Sequence, residues 1–130
     1  MNRMNENNTA VIIVDIQERL SPAIADTDQL TDASVTLLRG AQILGLPIFA
    51  TEQYPKGLGR TIEPLQKFLS DVGTFEKREF TYATENILQA LAGHDIEHVI
   101  VLGMETHICV FQGTRQLLDD GYEVYLPVEC

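Results

Sequence analysis

The sequence predicts an α/β protein of three layers, a parallel sheet with helices on both faces. Three observations carry this. Short β-branched apolar runs recur at Ala10–Val14, Pro47–Thr51, His98–Gly103 and Tyr122–Val128. The first and third are continuously apolar over much of their length rather than alternating, as expected of strands buried on both faces. Between the runs lie segments with helical spacing, and strands alternating with helices give a parallel sheet with right-handed crossovers.

The first run ends in an acid, Asp15. A helix is then expected over Asp28–Leu44, where Leu30, Ala33, Leu37, Leu38, Ala41 and Leu44 recur at three- and four-residue steps and Gly45 follows as a stop. Pro47–Thr51 reads as the second strand. Glu52–Arg60 holds Pro55, Gly57 and Gly59 and reads as a loop. A short helix is expected over Glu63–Leu69 and an extended piece over Thr74–Lys77. Thr84–Leu91 reads as a helix capped by Thr84, with Gly93 beyond its end. After the His98–Gly103 strand comes a helix from Thr106 to Leu118, closed by Gly121, and a last strand from Tyr122.

With 130 residues the chain allows one domain, expected over residues 10–130 after a flexible polar segment, 1–9. The formal charge of −10 speaks against a surface that tracks nucleic-acid phosphates. No apolar run spans a bilayer and the Asn-rich start lacks a signal core, so no membrane partner is expected and the location expected is a reducing cytoplasm. Two cysteines, Cys109 and Cys130, do not make a disulfide scaffold.

In open α/β sheets, ligands bind outside the carboxyl ends of the strands. Three reactive residues fall at such places: Asp15, Lys77 and Cys109. If Thr106 caps its helix, Cys109 lies in the first turn, where free backbone N–H groups and the helix dipole favour a thiolate. The same N–H groups suit an oxyanion. Each residue also has a plainer reading. Cys109 suits a small core position, Asp15 a loop cap, and Lys77 the solvated charge cluster Glu76-Lys77-Arg78-Glu79. The joint placement favours a nucleophile with a base and a cation.

These residues resemble the isochorismatase-like superfamily of cysteine hydrolases, which includes nicotinamidases and N-carbamoylsarcosine amidohydrolases. Val11-Ile12-Ile13-Val14-Asp15-Ile16-Gln17 is similar to its first strand with the catalytic Asp. Phe75-Glu76-Lys77 is similar to the segment with the catalytic Lys, and Gly103-Met104-Glu105-Thr106-His107-Ile108-Cys109-Val110 to the nucleophile loop. Thr51-Glu52-Gln53-Tyr54-Pro55-Lys56-Gly57-Leu58-Gly59 resembles the subgroup called isochorismatase domain-containing proteins.

The resemblance implies a Rossmann-like fold and a triad of Asp15, Lys77 and Cys109. It implies a non-proline cis peptide at Met104–Glu105 that aims the Glu105 and Cys109 N–H groups at an oxyanion. Gln17, Glu52, Gln53, Tyr54 and His107 are candidates for the substrate pocket. The family's last helix and edge strand would fall beyond Cys130, so the sheet is expected to lack them. Metal-dependent nicotinamidases carry an Asp and several His after the second strand. Thr51–Arg60 holds no His, and His94, His98 and His107 are not spaced for that site, so neither metal nor cofactor is expected. The expected activity is cysteine-dependent hydrolysis of a small amide-like or related C–N bond through a thioester, by a homo-oligomer, a dimer or larger. The alternative is a non-catalytic small-molecule-binding or interaction subunit with the same fold. Isochorismate ether hydrolysis is weaker, because it leaves Cys109 unexplained.

Overall fold

The structure is a computed structural model that describes residues 2–18, 27–69, 73–78, 81–103 and 108–127, with backbone alone at 27, 28, 108, 109 and 111. In chain order the elements are β1 (Thr9–Val14), α1 (Thr27–Leu44), β2 (Ile48–Gln53), α2 (Pro55–Leu58), α3 (Glu63–Gln66), β3 (Thr74–Lys77), α4 (Glu85–Gly93), β4 (His98–Gly103), α5 (Ile108–Asp119) and β5 (Glu123–Tyr125). The five strands form one parallel sheet in the order β3-β2-β1-β4-β5. From β1 the chain steps outward to β2 and β3, then returns to place β4 on the other side of β1. The reversal makes the carboxyl ends of β1 and β4 a topological switch point, where such sheets hold their ligands.

All six residues of β1 are buried, which explains its unbroken apolar run. Alternate side chains serve opposite layers. Ala10, Ile12 and Val14 pack with Phe49, Ile87, Leu91, Val99, Val110 and Leu117, under α4 and α5. Val11 and Ile13 pack with Leu38, Ala41, Ala50, Leu65 and Leu102, under α1 and α3. Two cores on one sheet are the three predicted layers. Each buried Val, Ile or Leu contributes about 1.5–3 kcal/mol, so β1 anchors both.

Several boundaries move, for local reasons. β1 starts at Thr9, and the segment before it, expected to be flexible, is hydrogen-bonded to the sheet: the Glu97 and His98 N–H groups both donate to the Asn8 carbonyl, at 2.9 and 3.0 Å. β2 runs two residues past its expected end, because Glu52 and Gln53 pair in register with Glu76 and Lys77. Inside the expected loop Pro55 opens the one-turn helix α2, its fixed φ suited to a first helical position. Leu44, expected on the core face of α1, is 56% exposed, whereas Ser34 on that helix is fully buried. The Thr84 cap forms as expected, its side chain accepting from the Ile87 N–H at 3.4 Å, although α4 runs on to Gly93. Among the described residues no helix is long and apolar enough to cross a membrane.

Candidate active site

Asp15 follows β1 at the switch point and is 5% exposed. Strict alternation would send its side chain to the Val11 and Ile13 layer. Its φ of 52° prevents that. Left-handed backbone is uncommon outside glycine, though Asp tolerates it better than most residues. The Asp15 carboxylate instead meets Thr51 on β2, whose hydroxyl donates to Oδ1 at 2.9 Å. Thr51 lies two residues after Phe49 and so on the α4–α5 side of the sheet. Ile16 records the same reversal, for it packs with Val11 and Ile13 rather than with Ile12 and Val14. One strained residue therefore aims the acid across the sheet.

Lys77 ends β3, two strands away from β1. Like Thr51 it keeps the parity of the aromatic residue before it, Phe75, which packs against the α4–α5 core. Its side chain crosses β2, and Nζ lies 2.9 Å from Asp15 Oδ2 and 2.6 Å from Gln53 Oε1, to which it donates. Both charges are buried. A lone buried charge costs several kcal/mol, so each ion requires the other. The contact with Oδ2 is an ion pair by distance only. Among the described residues that oxygen accepts no hydrogen bond, while Oδ1 is satisfied by Thr51. A buried carboxylate oxygen with a free lone pair is suited to accept a proton.

Cys109 is the second residue of α5, and its backbone lies in the first turn as expected. Val110 and Leu117 seat this helix on the same side of the sheet as Thr51 and Lys77. The structure thus brings the acid and the cation into contact and starts the cysteine's helix on their side. The Cys109 side chain, Met104, Glu105, Thr106 and His107 fall outside the described atoms, and with them the expected cap, cis peptide and oxyanion site.

The expected pocket residues divide into two kinds. Gln17 is fully buried: its Nε2 donates to the Gln53 and Gly59 carbonyls at 3.0 and 2.7 Å, and its Oε1 accepts from the Gln53 N–H at 2.7 Å. Glu52 is 3% exposed, and its carboxylate accepts from the Thr61 N–H and hydroxyl at 2.7 and 2.9 Å. These two side chains hold the loop between β2 and α3, and their described bonds all run to the protein. Gln53 sits beside Lys77 and also donates through Nε2 to the Arg78 carbonyl at 3.1 Å. Tyr54 is half-exposed, has a φ of 40°, and lines a groove of about 410 Å³ with Pro55, Lys56, Glu76, Lys77 and Arg78. Gly57 is needed for the Tyr54 ring, because a Cβ there would come within 2.5 Å of it.

Sequence reasoning missed Thr51 and the pairing role of Gln53. The signal was the two-residue period running from Phe49 through Thr51 to Gln53, which puts both polar side chains on one face. His94 and His98 both lie away from this site. The His94 Nδ1 approaches the Ala90 carbonyl at 2.9 Å, and His98 is buried between Tyr125 and the Asn2 carbonyl. Among the described residues no three His, Cys, Asp or Glu side chains are grouped to hold a metal ion. Beneath the site, burial pushes the Tyr82 hydroxyl up to about 12, against the opposing effect of its 2.9 Å hydrogen bond with Thr114.

The profile of the isochorismatase domain matches residues 9–130. Isochorismatase domain-containing protein 1 of Salmo salar is 36% identical over 122 residues, 93% of this chain and 43% of that protein. The solved MAR1 ribonuclease of Caenorhabditis elegans superposes with a TM-score of 0.89 at 35% identity, over 98% of this chain and 66% of that one. The YcaC gene product of Escherichia coli, described as an octameric hydrolase of unknown specificity, superposes with a TM-score of 0.86 over 95% of this chain and 63% of that one. At 22% identity it supports the fold alone. The chain spans less than two thirds of the length of the curated relatives it matches. Matched along nearly its whole length by the family profile, the chain belongs to the isochorismatase family.

Proposed function

We propose that this chain carries the catalytic residues of a cysteine hydrolase acting on a small amide-like or related C–N bond. The observation that supports this best is the buried Asp15–Lys77 pair, whose Asp15 Oδ2 accepts no hydrogen bond among the described residues, on the side of the sheet where the helix of Cys109 begins. In the first step the Cys109 thiol gives its proton to Asp15 and the sulfur attacks the carbonyl carbon. The C–N bond then breaks, Asp15 returns the proton to the leaving nitrogen, and a thioester remains. Asp15 next takes a proton from water, the hydroxide adds to the thioester, and the C–S bond breaks. The proton on Asp15 returns to the sulfur and the acid departs. Lys77 holds the carboxylate and favours the thiolate. The N–H groups of Glu105 and Cys109 are the proposed oxyanion donors. His107 and Tyr54 are proposed to flank the substrate.

The reading extends to a homo-oligomer working in a reducing cytoplasm, without a metal or cofactor. Its test is a panel of small amides and ureides offered to the wild type and to Cys109→Ala, with single-stranded RNA included because a relative bears the name ribonuclease. The expected result is release of amine or ammonia that disappears in the variant. Binding without turnover, indifferent to the substitution, would instead assign a non-catalytic binding subunit. Cleavage of RNA alone would move the substrate class.

A further inference from the structure

We infer that Thr51 and Gln53, alternate residues on one face of β2, are positioning residues that orient the Asp15 carboxylate and the Lys77 amine toward each other. The inference rests on the proposed cysteine mechanism and adds two residues to it. β2 lies between β1 and β3, which deliver the acid and the cation. Residues two apart on a strand share a face. Thr51 reaches toward β1 and donates its hydroxyl to Asp15 Oδ1 at 2.9 Å. Gln53 reaches toward β3 and accepts from Lys77 Nζ at 2.6 Å. Each residue therefore bonds one member of the pair.

The bonds have a direction. A hydroxyl that donates to Oδ1 occupies that oxygen, leaving Oδ2, which among the described residues accepts no hydrogen bond, as the oxygen to take the thiol proton. An amide oxygen can only accept, so Gln53 Oε1 holds Lys77 Nζ as a donor. The orientation of the Gln53 amide is itself fixed: its Nε2 donates to the Arg78 carbonyl at 3.1 Å, which only an NH₂ can do. Its backbone N–H is held in turn by buried Gln17 at 2.7 Å. The arrangement holds one carboxylate oxygen on Thr51 and directs the Lys77 amine at the other.

The test is a double-mutant cycle read by iodoacetamide alkylation of Cys109 at neutral pH, in a Cys130→Ser background so that one thiol reports. Thr51→Val is expected to change the alkylation rate by about tenfold, the order of a hydrogen bond to a charged group. In Asp15→Asn the same substitution is expected to change little, because the amide there can accept a hydrogen bond but cannot take the thiol proton. Gln53→Met is expected to behave likewise, with an effect that vanishes in Lys77→Met. Thr51→Ser, which keeps the hydroxyl, restores the rate. Equal effects of Thr51→Val with and without Asp15, or no effect in either, would overturn the inference. Should Thr51→Val fail to fold, Thr51→Ala replaces it in the same cycle. A wild-type Cys109 that alkylates like a free thiol and ignores Asp15→Asn would sink the cysteine mechanism as well. A fast, Asp15-dependent Cys109 that ignores Thr51 and Gln53 sinks this inference alone.

Discussion

At the amino-terminal end of the sheet, Asn8 is buried with its bonds closed. Its Nδ2 donates to the Arg3 carbonyl and to Glu97 at 2.9 and 3.0 Å, and its Oδ1 accepts from the Asn5 N–H at 2.8 Å. His98 beside it has both ring nitrogens engaged, with Nε2 carrying a proton because the Asn2 carbonyl can only accept. At the carboxyl end, Asp15 and Lys77 form a buried ion pair, and among the described residues one carboxylate oxygen accepts no hydrogen bond. Both ends spend burial on polar atoms. The first closes its bonds and fastens the incoming chain to β4. The second joins two charges across three strands, where the proposed reaction would begin.

Lys77→Met has the largest expected effect. It strands the Asp15 charge, and breaking a buried pair costs about 3–5 kcal/mol in stability. Urea unfolding measures this. The double variant Asp15→Asn/Lys77→Met is expected to recover much of the stability and none of the turnover. Full stability in Lys77→Met alone would erase the contrast between the ends.

Gly113→Ala comes second. Its Cβ would clash with the Tyr82 ring, so α5 or the ring must shift. The expected loss is about 1–3 kcal/mol, read as a lower Tm, and the shift is expected to alter Cys109 alkylation because the same helix carries it. An unchanged melting temperature would mean that the contact between α5 and Tyr82 is slack.

Tyr82 gives the pH dependence. Its hydroxyl titrates near 12 in the fold and near 10 when unfolded. The unfolded chain therefore loses its proton first, and stability falls as pH rises from about 10 to about 12. Tyr82→Phe is expected to flatten that slope in urea melts at pH 9 and pH 11, and an unchanged slope would count against burial as the cause. Tyr122 and Tyr125 are also pushed upward, so some slope remains.

His98→Phe has the smallest expected effect. It removes hydrogen bonds worth about 1 kcal/mol each and frees the Asn2 carbonyl. Stability drops modestly while Cys109 alkylation stays at the wild-type rate. A loss of alkylation would break the division between the two ends.

Much of the fold was legible because β1 and β4 are apolar on both faces, a pattern that only a covered parallel sheet satisfies. The places of Asp15, Lys77 and Cys109 were legible from the strand order: Asp15 follows β1, Lys77 ends β3, and Cys109 lies in the first turn of the helix after β4. Thr51 was not, because a threonine in a strand is unremarkable until its neighbour across the ladder is known. Glu52 was placed in the pocket because it follows the second strand, and Gln17 because it sits in the segment that resembles the family's first strand. Their bonds to Thr61, Gln53 and Gly59 join segments 9, 36 and 42 residues apart, and local patterns carry no record of such pairings. The exposed Leu44 shows the converse: helical period extends an apolar face beyond the point where the sheet beneath it ends.

The left-handed backbone at Asp15 narrows what evolution can place there. Glycine, asparagine and aspartate accept that conformation at low cost, whereas most side chains do not. A lineage that abandoned the chemistry while keeping the fold would therefore drift first to Asn or Gly at this position. Asp15→Asn is thus a substitution that the backbone tolerates while the carboxylate is lost, so it separates the demands of the fold from those of the proposed chemistry.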